Sequence, residues 1–384
     1  MNEVDHCKKC GSEEIIKIGF KGTKWDGVKK QRFKCKICGY KFIGIKKYIN
    51  QEMPFVYKSK PIPPQDWPAY TKAQQEHKQG LINIIEEMLD LIKIKQTKTV
   101  GRPNTDLKEI CFALILKTFS QLSSRRLHGE LEILKKLGYV ETIPHFTILM
   151  KHLRKKETTL ILKELLKLSA MPIKQMSSKT FSVDSTGFST SSFGRWYDHY
   201  NGKRLNRRDF LKCHALIENK SNVVVNVIIT EATASDSPRF EKLVTETNKE
   251  FQIEELSADM AYSSKKNLEL VFKIGATPYI PFKKNVSGRK HGSLIWIKTY
   301  EFFKKQPQKF YEKYHKRSNS ETSFSMIKVK LGSNLKTKNF TSQQNEILLK
   351  LIVHNCFCLI HEFYEKNIES YFATKTPKKT NPAN

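Results

Sequence analysis

The 384-residue sequence predicts a mixed α/β protein, with a sheet of parallel and antiparallel strands flanked by helices and two smaller regions ahead of it. Three observations carry this. From residue 180 onward, β-prone runs and helical patterns alternate as three strands, helix, strand, helix, strand, helix, an order that suits a mixed sheet covered by helices. Before that, residues 105–156 hold apolar residues at helical spacing with polar faces between them. At the N-terminus, four cysteines stand in two Cys-x-x-Cys pairs. The expected segments are 1–47, a cysteine ribbon; 48–100, a linker with a short helix; 101–160, helical; 178–366, the sheet domain; and 367–384, a basic tail with the composition of disorder.

The charge balance narrows the partners. Against 68 Lys and Arg stand 38 Asp and Glu, a formal net charge of +30, which is the footprint of a polyanion binder. Nucleic acid is the expected polyanion, with an anionic membrane surface as the alternative, although no basic amphipathic helix stands out. No apolar run approaches the ~20 residues of a membrane span, and the first residues lack the layout of a signal peptide. A cytoplasmic protein is expected, with no membrane partner.

Cys7, Cys10, Cys35 and Cys38 form two knuckles with 24 residues between them, able to offer four thiolates to Zn²⁺, with a redox dithiol as the competing reading. Gly39 suits the tight turn after the second knuckle. So small a unit has little core, and the metal would supply much of its folding energy. Residues 1–60 carry a surplus of nine positive charges, with Trp25, Phe33, Tyr40 and Phe42 among them. Such a ribbon grips DNA or docks a protein. The other cysteines, Cys111, Cys213, Cys356 and Cys358, lie in apolar runs and read as core.

Pro54, Pro61, Pro63, Pro64 and Pro68 mark residues 48–75 as linker, followed by a helix near Gly80–Lys95. Gly101-Arg102-Pro103 resembles a minor-groove hook but reads better as a turn into a helix. Three helices are expected next, near Asp106–Ser120, near Ser124–Leu137 with Gly138 as its stop, and from Pro144 towards Lys156. The third places His145, Thr147, Lys151, Arg154 and Lys155 on its polar side. That makes Lys151 and Arg154 candidate DNA contacts of a helix-turn-helix reader, or else the helices only pack on the following domain.

In the sheet domain, Thr180–Gly187 reads as a strand ending at Asp184 and a turn, where the acid either faces a metal or makes an Asx turn. Asp209–Ile217 and Val223–Thr230 are two strands joined at Asn219–Asn222. Asp236 reads as the N-cap of a helix over Pro238–Phe251. Glu255–Asp259 is the next strand, its final aspartate open to the same two readings, metal or cap. A helix near Ser264–Ile274 and a strand over Ala276–Phe282 follow. Residues 283–317 carry eleven Lys and Arg against two acids, which fits a DNA channel or a solvated loop. Gln343–Tyr364 is a closing apolar helix.

The segment Tyr314–Lys328 is the most informative. Tyr314, Arg317, Glu321 and Lys328 share one helical face at about 100° per residue, beside an apolar stripe of Phe324, Ile327 and Leu331. Cations beside a carboxylate suit a site that holds a metal and a phosphodiester together. An i,i+4 surface pair of Arg317 with Glu321, or a capping box of Ser318 with Glu321, accounts for the same spacing.

Tyrosine, two residues, arginine, three residues, glutamate, six residues, lysine resembles the C-terminal signature of the DDE transposases of bacterial and archaeal insertion sequences. All four positions are present at those gaps. Asp184-Ser185-Thr186-Gly187 and Asp259, with Met260-Ala261-Tyr262 after it, are similar to the settings of that family's two aspartates. The resemblance covers about residues 180–360. It implies a ribonuclease-H-like core in which Asp184, Asp259 and Glu321 hold two Mg²⁺, or Mn²⁺, roughly 3.5–4 Å apart. It implies phosphate contacts by Tyr314, Arg317 and Lys328, cleavage at element ends and strand transfer into target double-stranded DNA by a homodimer. A domesticated DNA-binding descendant that no longer cuts, and a related nuclease that cuts without joining, are the rival readings.

Overall fold

A computed structural model describes residues 6–7, 9–22, 29–43, 66–93, 105–190, 210–283, 286 and 293–366. The expectations for Trp25, for most of the 48–75 linker including Pro54, Pro61, Pro63 and Pro64, for Gly101-Arg102-Pro103 and for the tail lie outside those residues. The chain divides into two units, 1–63 and 64–384.

The first unit is an antiparallel three-stranded sheet of β1 (Ile15–Gly22), β2 (Lys29–Cys35) and β3 (Lys41–Ile43). Among the described residues its core is Cys7, Cys35, Phe33 and Phe42, with Ile15 packed alongside. Gly11 and Gly39 take positive φ, +71° and +70°, and return their amides to the Cys7 and Cys35 carbonyls at 2.9 and 3.1 Å, closing the two knuckles.

The second unit opens with helices. α1 (Trp67–Gln75) and α2 (His77–Leu91) begin earlier than expected. Pro68 occupies the first turn of α1, where its missing amide and fixed φ start a helix rather than break one, and the Asp66 side chain caps the Ala69 amide at 3.0 Å. α3 (Leu107–Ser120) is capped by Asp106, and α4 (Leu127–Lys136) stops at Gly138 with φ +82°. α5 (Phe146–His152) starts two residues after Pro144 and is short. Arg154 and Lys155 therefore fall in the turn before a further helix, α6 (Lys156–Ala170), whose apolar face of Leu162, Leu165 and Leu166 had not been read as one.

The sheet that follows has order β6-β5-β4-β7-β8. β4 (Thr180–Ser189), β5 (Phe210–Glu218) and β6 (Val224–Glu231) are antiparallel neighbours. β7 (Glu255–Ala258) and β8 (Thr277–Tyr279) add on the other side of β4 in parallel. Three antiparallel strands extended by two parallel ones, with α7 (Ser237–Asn248) and α8 (Lys265–Lys273) as crossovers, is the ribonuclease-H-like arrangement.

The basic run after residue 283 contains two helices, α9 (Leu294–Lys305) and α10 (Pro307–Tyr314), stapled by aromatic contacts such as Phe303 with Phe310 at 5.1 Å. A 3₁₀ turn, His315–Arg317, links α10 to α11 (Ser318–Leu331). The last helix, α12 (Phe340–Lys366), packs on α1, α2, α3, α6, α11 and β6. Among the described residues it is the one helix with the length and apolarity of a membrane span. Of that apolar window 78% is buried inside the protein, as in a core helix. A single hydrophobic core runs from Ala73 to Ile360 and unites the N-terminal helices with both faces of the sheet.

Candidate active site

The strand β4 sets the first acid. Asp184 lies inside β4, not at its end, because Ser185–Ser189 continue the ladder against Phe210–His214 of β5. On the other side Val183 pairs with Ala258, the last residue of β7, so Asp184 and Asp259 follow as the next positions of two adjacent parallel strands. Asp259 then turns the chain into the 3₁₀ segment Met260–Tyr262, its side chain accepting from the Met260 amide at 2.6 Å. The cap reading of Asp259 is thus realised, and it leaves one carboxylate oxygen uncommitted to the backbone.

The helical turn around residue 317 brings the third acid. Arg317 reaches Asp184 Oδ2 with Nη1 at 3.0 Å, contacts Glu321 Oε1 with Nη2, and donates through Nε to the Tyr314 hydroxyl at 3.1 Å. One guanidinium therefore ties three of the motif residues and Asp184 into a single cluster. Arg317 and Asp184 are mostly covered, with side chains 18% and 16% exposed, whereas Glu321 is 60% exposed. The capping box is not formed. The Ser318 hydroxyl donates back to the His315 carbonyl at 2.8 Å, and no side chain caps α11. The fourth motif residue, Lys328, donates to Thr186 Oγ1 at 2.6 Å, two residues along β4 from Asp184, and sits over the Phe188 ring at 5.6 Å.

Burial pushes the Asp184 carboxyl above the usual carboxylate range, against the Ser185 amide, the Arg317 charge and the Ser320 hydroxyl, which favour the anion. Burial likewise raises the Tyr314 phenol. Arg317 opposes that shift, and the charges of Asp259 and Asp184 add to it, so the hydroxyl stays protonated. Ser320, fully buried, donates to Asp184 Oδ2 at 3.0 Å. In the sequence it is one of several serines in this segment, with no pattern that sets it apart. Its only signal was its place one residue before Glu321.

A second polar group lies on the neighbouring strand. Asp236 does not cap α7. Its carboxylate is held by Lys212 Nζ at 2.7 and 2.8 Å and lies 3.0 Å from Nδ1 of the buried His214, whose Nε2 is 2.9 Å from Thr230 Oγ1. Lys212 and His214 alternate on one face of β5, a two-residue polar spacing in an otherwise apolar strand, and that spacing was the available clue.

Lys151 and Arg154 are both exposed, on the last turn of α5 and the turn after it. Asn345 of α12 fixes that turn by donating to the Leu153 carbonyl at 3.0 Å.

The donor sets fit two kinds of metal. The four cysteine sulfurs lie within 4.8 Å of one another, with Cys7 and Cys38, and Cys10 and Cys35, each 3.6 Å apart. The Cys38 amide beside the Cys35 thiol holds it down at about 6, against burial. Four sulfurs gathered at this spacing are the donor set of a tetrahedral Zn²⁺ site. Asp184, Asp259 and Glu321 offer only oxygens, the donors that hard cations such as Mg²⁺ take, with Asp184 and Glu321 held by Arg317. Among the described residues, the cysteines are the one donor group gathered within 4.8 Å, so the three carboxylates stand further apart.

Residues 176–356, which carry this sheet and this cluster, match the transposase DDE domain family. Across most of its length the chain is similar to a protein described as the probable transposase for insertion sequence element ISA1214 of Archaeoglobus fulgidus, 24% identical over 301 residues, 77% of this chain and 88% of that one. Among solved structures, a piggyBac transposase in a synaptic complex with hairpin DNA aligns with 76% of this chain and 73% of its own. The identity there is 10% and the TM-score 0.39, a distant likeness.

Proposed function

We propose that this transposase binds the terminal repeats of its own element, cleaves the DNA at the element ends and joins the freed 3′-hydroxyls to target DNA. The observation that carries the reading is that Asp184 and Asp259 are the next positions of two paired inner strands and that Asp184 is tied to Glu321 through Arg317. When bound, two Mg²⁺ ions would supply the activation of the attacking hydroxyl and the stabilisation of the leaving oxygen. Asp184, Asp259 and Glu321 are their holders. Arg317, Lys328 and Tyr314 orient the scissile phosphates, the two cations by charge-assisted hydrogen bonds and the phenol by donation. No side chain needs to become covalently attached to DNA.

The surplus of 30 positive charges supports binding of double-stranded DNA. The exposed Lys151 and Arg154, the helical region and the zinc ribbon are the further contacts of this reading. Joining both ends of an element together calls for a homodimer on DNA, working in the cytoplasm at the nucleoid.

The test is a Mg²⁺-dependent cleavage and joining assay on DNA carrying the inverted repeats that flank the gene. Asp184→Ala, Asp259→Ala and Glu321→Ala should each abolish products while repeat binding persists in a gel-shift measurement. Binding without products in wild type, in Mg²⁺ or Mn²⁺, overturns the reading in favour of a silent DNA binder. Cutting with no joined product favours a nuclease.

A further inference from the structure

One buried cation outside the acid cluster has no place in the chemistry described so far. Lys350 lies within α12 and is 4% exposed. Taking an ammonium group out of water is costly unless its donors are met. Burial pushes the amine down to about 8, and Glu346, the acid that opposes this, is itself engaged by the Lys336 and Thr337 amides. The Lys350 ammonium donates to main-chain carbonyls, Gly332 at 2.8 Å and Asn334 at 2.9 Å.

Those carbonyls belong to the turn that ends α11. Gly332 stops the helix with φ +82°, and its amide donates to the Lys328 carbonyl at 3.0 Å. The same turn is sewn to the end of β4. The Ser189 amide donates to the Ser333 carbonyl at 3.1 Å, and the Leu335 amide donates to the Ser189 carbonyl at 2.8 Å. Lys350 and Lys328 also lie over one ring, Phe188 of β4, each 5.6 Å from its centroid. The turn is thus held by β4 on one side and α12 on the other, and Lys328 stands one helical turn before it, on Thr186. The other end of α11 is tied separately, by Asn319 to the Asn219 carbonyl and by Ser320 to Asp184.

Resting on the reading that Lys328 contacts a DNA phosphate, we propose that Lys350 is a positioning residue for that contact. Its ammonium pins the C-terminal turn of α11 against β4 and so sets where the Lys328 amine stands. Buried as it is, Lys350 does not reach a phosphate itself.

The test is the salt dependence of repeat-DNA binding, measured by gel shift on the zinc-loaded full chain. Each phosphate contact contributes about 0.9 to the slope of log K against log salt. Lys328→Ala should lower the slope by about that amount, and Lys350→Met, which keeps the apolar stem, should lower it equally. The double variant should lower it no further than either change alone. A wild-type slope in Lys350→Met, with the Lys328→Ala slope lowered, overturns the proposal and leaves Lys350 to packing. A double variant that loses the sum of the two also overturns it, because Lys350 would then act through its own charge. If Lys350→Met fails to fold, Lys350→Gln takes its place, with the same expected slope and the same overturning results. An unchanged slope in Lys328→Ala removes the phosphate reading of Lys328, and this proposal with it.

Discussion

Arg317 is the residue on which the site turns. Its planar fork serves Asp184, Glu321 and Tyr314 at once, and a lysine has no geometry to do the same. Arg317→Lys should cut the rate of end cleavage by about 10²-fold or more, read in single-turnover assays, with melting little changed. The spacing in the sequence put Tyr314, Arg317, Glu321 and Lys328 on one face of a single helix. Arg317 does join Tyr314 and Glu321, but across a 3₁₀ turn between two helices, and Lys328 reaches Thr186 instead. Ser320, Lys212 and His214 were not legible, because their meaning depends on Asp184 and Asp236, which come from other strands. A buried histidine contributes to the acid sensitivity of the fold. Burial holds the His354 imidazole down at about 4, with its Nε2 3.0 Å from the Asn222 carbonyl it donates to. The unfolded chain takes up that proton near pH 6.5. Between about pH 6.5 and 4 the unfolded state binds more protons, so stability falls as pH falls, by up to about 3 kcal/mol from this residue. Urea midpoints across that range should slope less steeply in His354→Gln.

Among the elements, β4 has the most to satisfy. It pairs on both edges and carries Asp184, Thr186 and Phe188, and at Gly187 it passes so close to Phe210 that an added Cβ would stand 2.9 Å from the ring. Gly187→Ala should cost about 1–3 kcal/mol in chemical unfolding, partly recovered in a double variant with Phe210→Ala. The order of β4 to β8 and their crossover helices could be read from alternation and β-branching. The length of β4 could not, since Asp184-Ser185-Thr186-Gly187 reads locally as a turn and becomes strand only through β5. α9 and α10 were hidden by their lysines, which made a run of helix-spaced aromatics look like a solvated loop. The end of α10 and the 3₁₀ turn after it are in fact anchored, with Lys313 and Lys316 both on Glu255.

At the scale of the whole molecule, charge and metal give separate handles on the two units. With a formal charge of +30, affinity for DNA should drop about 10³–10⁵-fold between 50 and 200 mM salt if six to ten phosphates are contacted. A gel-shift series in salt measures this directly. A Zn²⁺ chelator should open the 1–63 unit to proteolysis, because among its described residues the apolar core is four residues and a neighbour.

α12 places one demand on synthesis. The helices α1, α2, α3 and α6 bury apolar faces on a helix, residues 340–366, that is made well after them. At about 5–20 residues per second, the ribosome leaves those faces waiting some tens of seconds for their partner. During that interval the nascent chain presents greasy helices and a net positive charge to whatever is near, the messenger included. The apolar faces of these helices are thus most exposed before release.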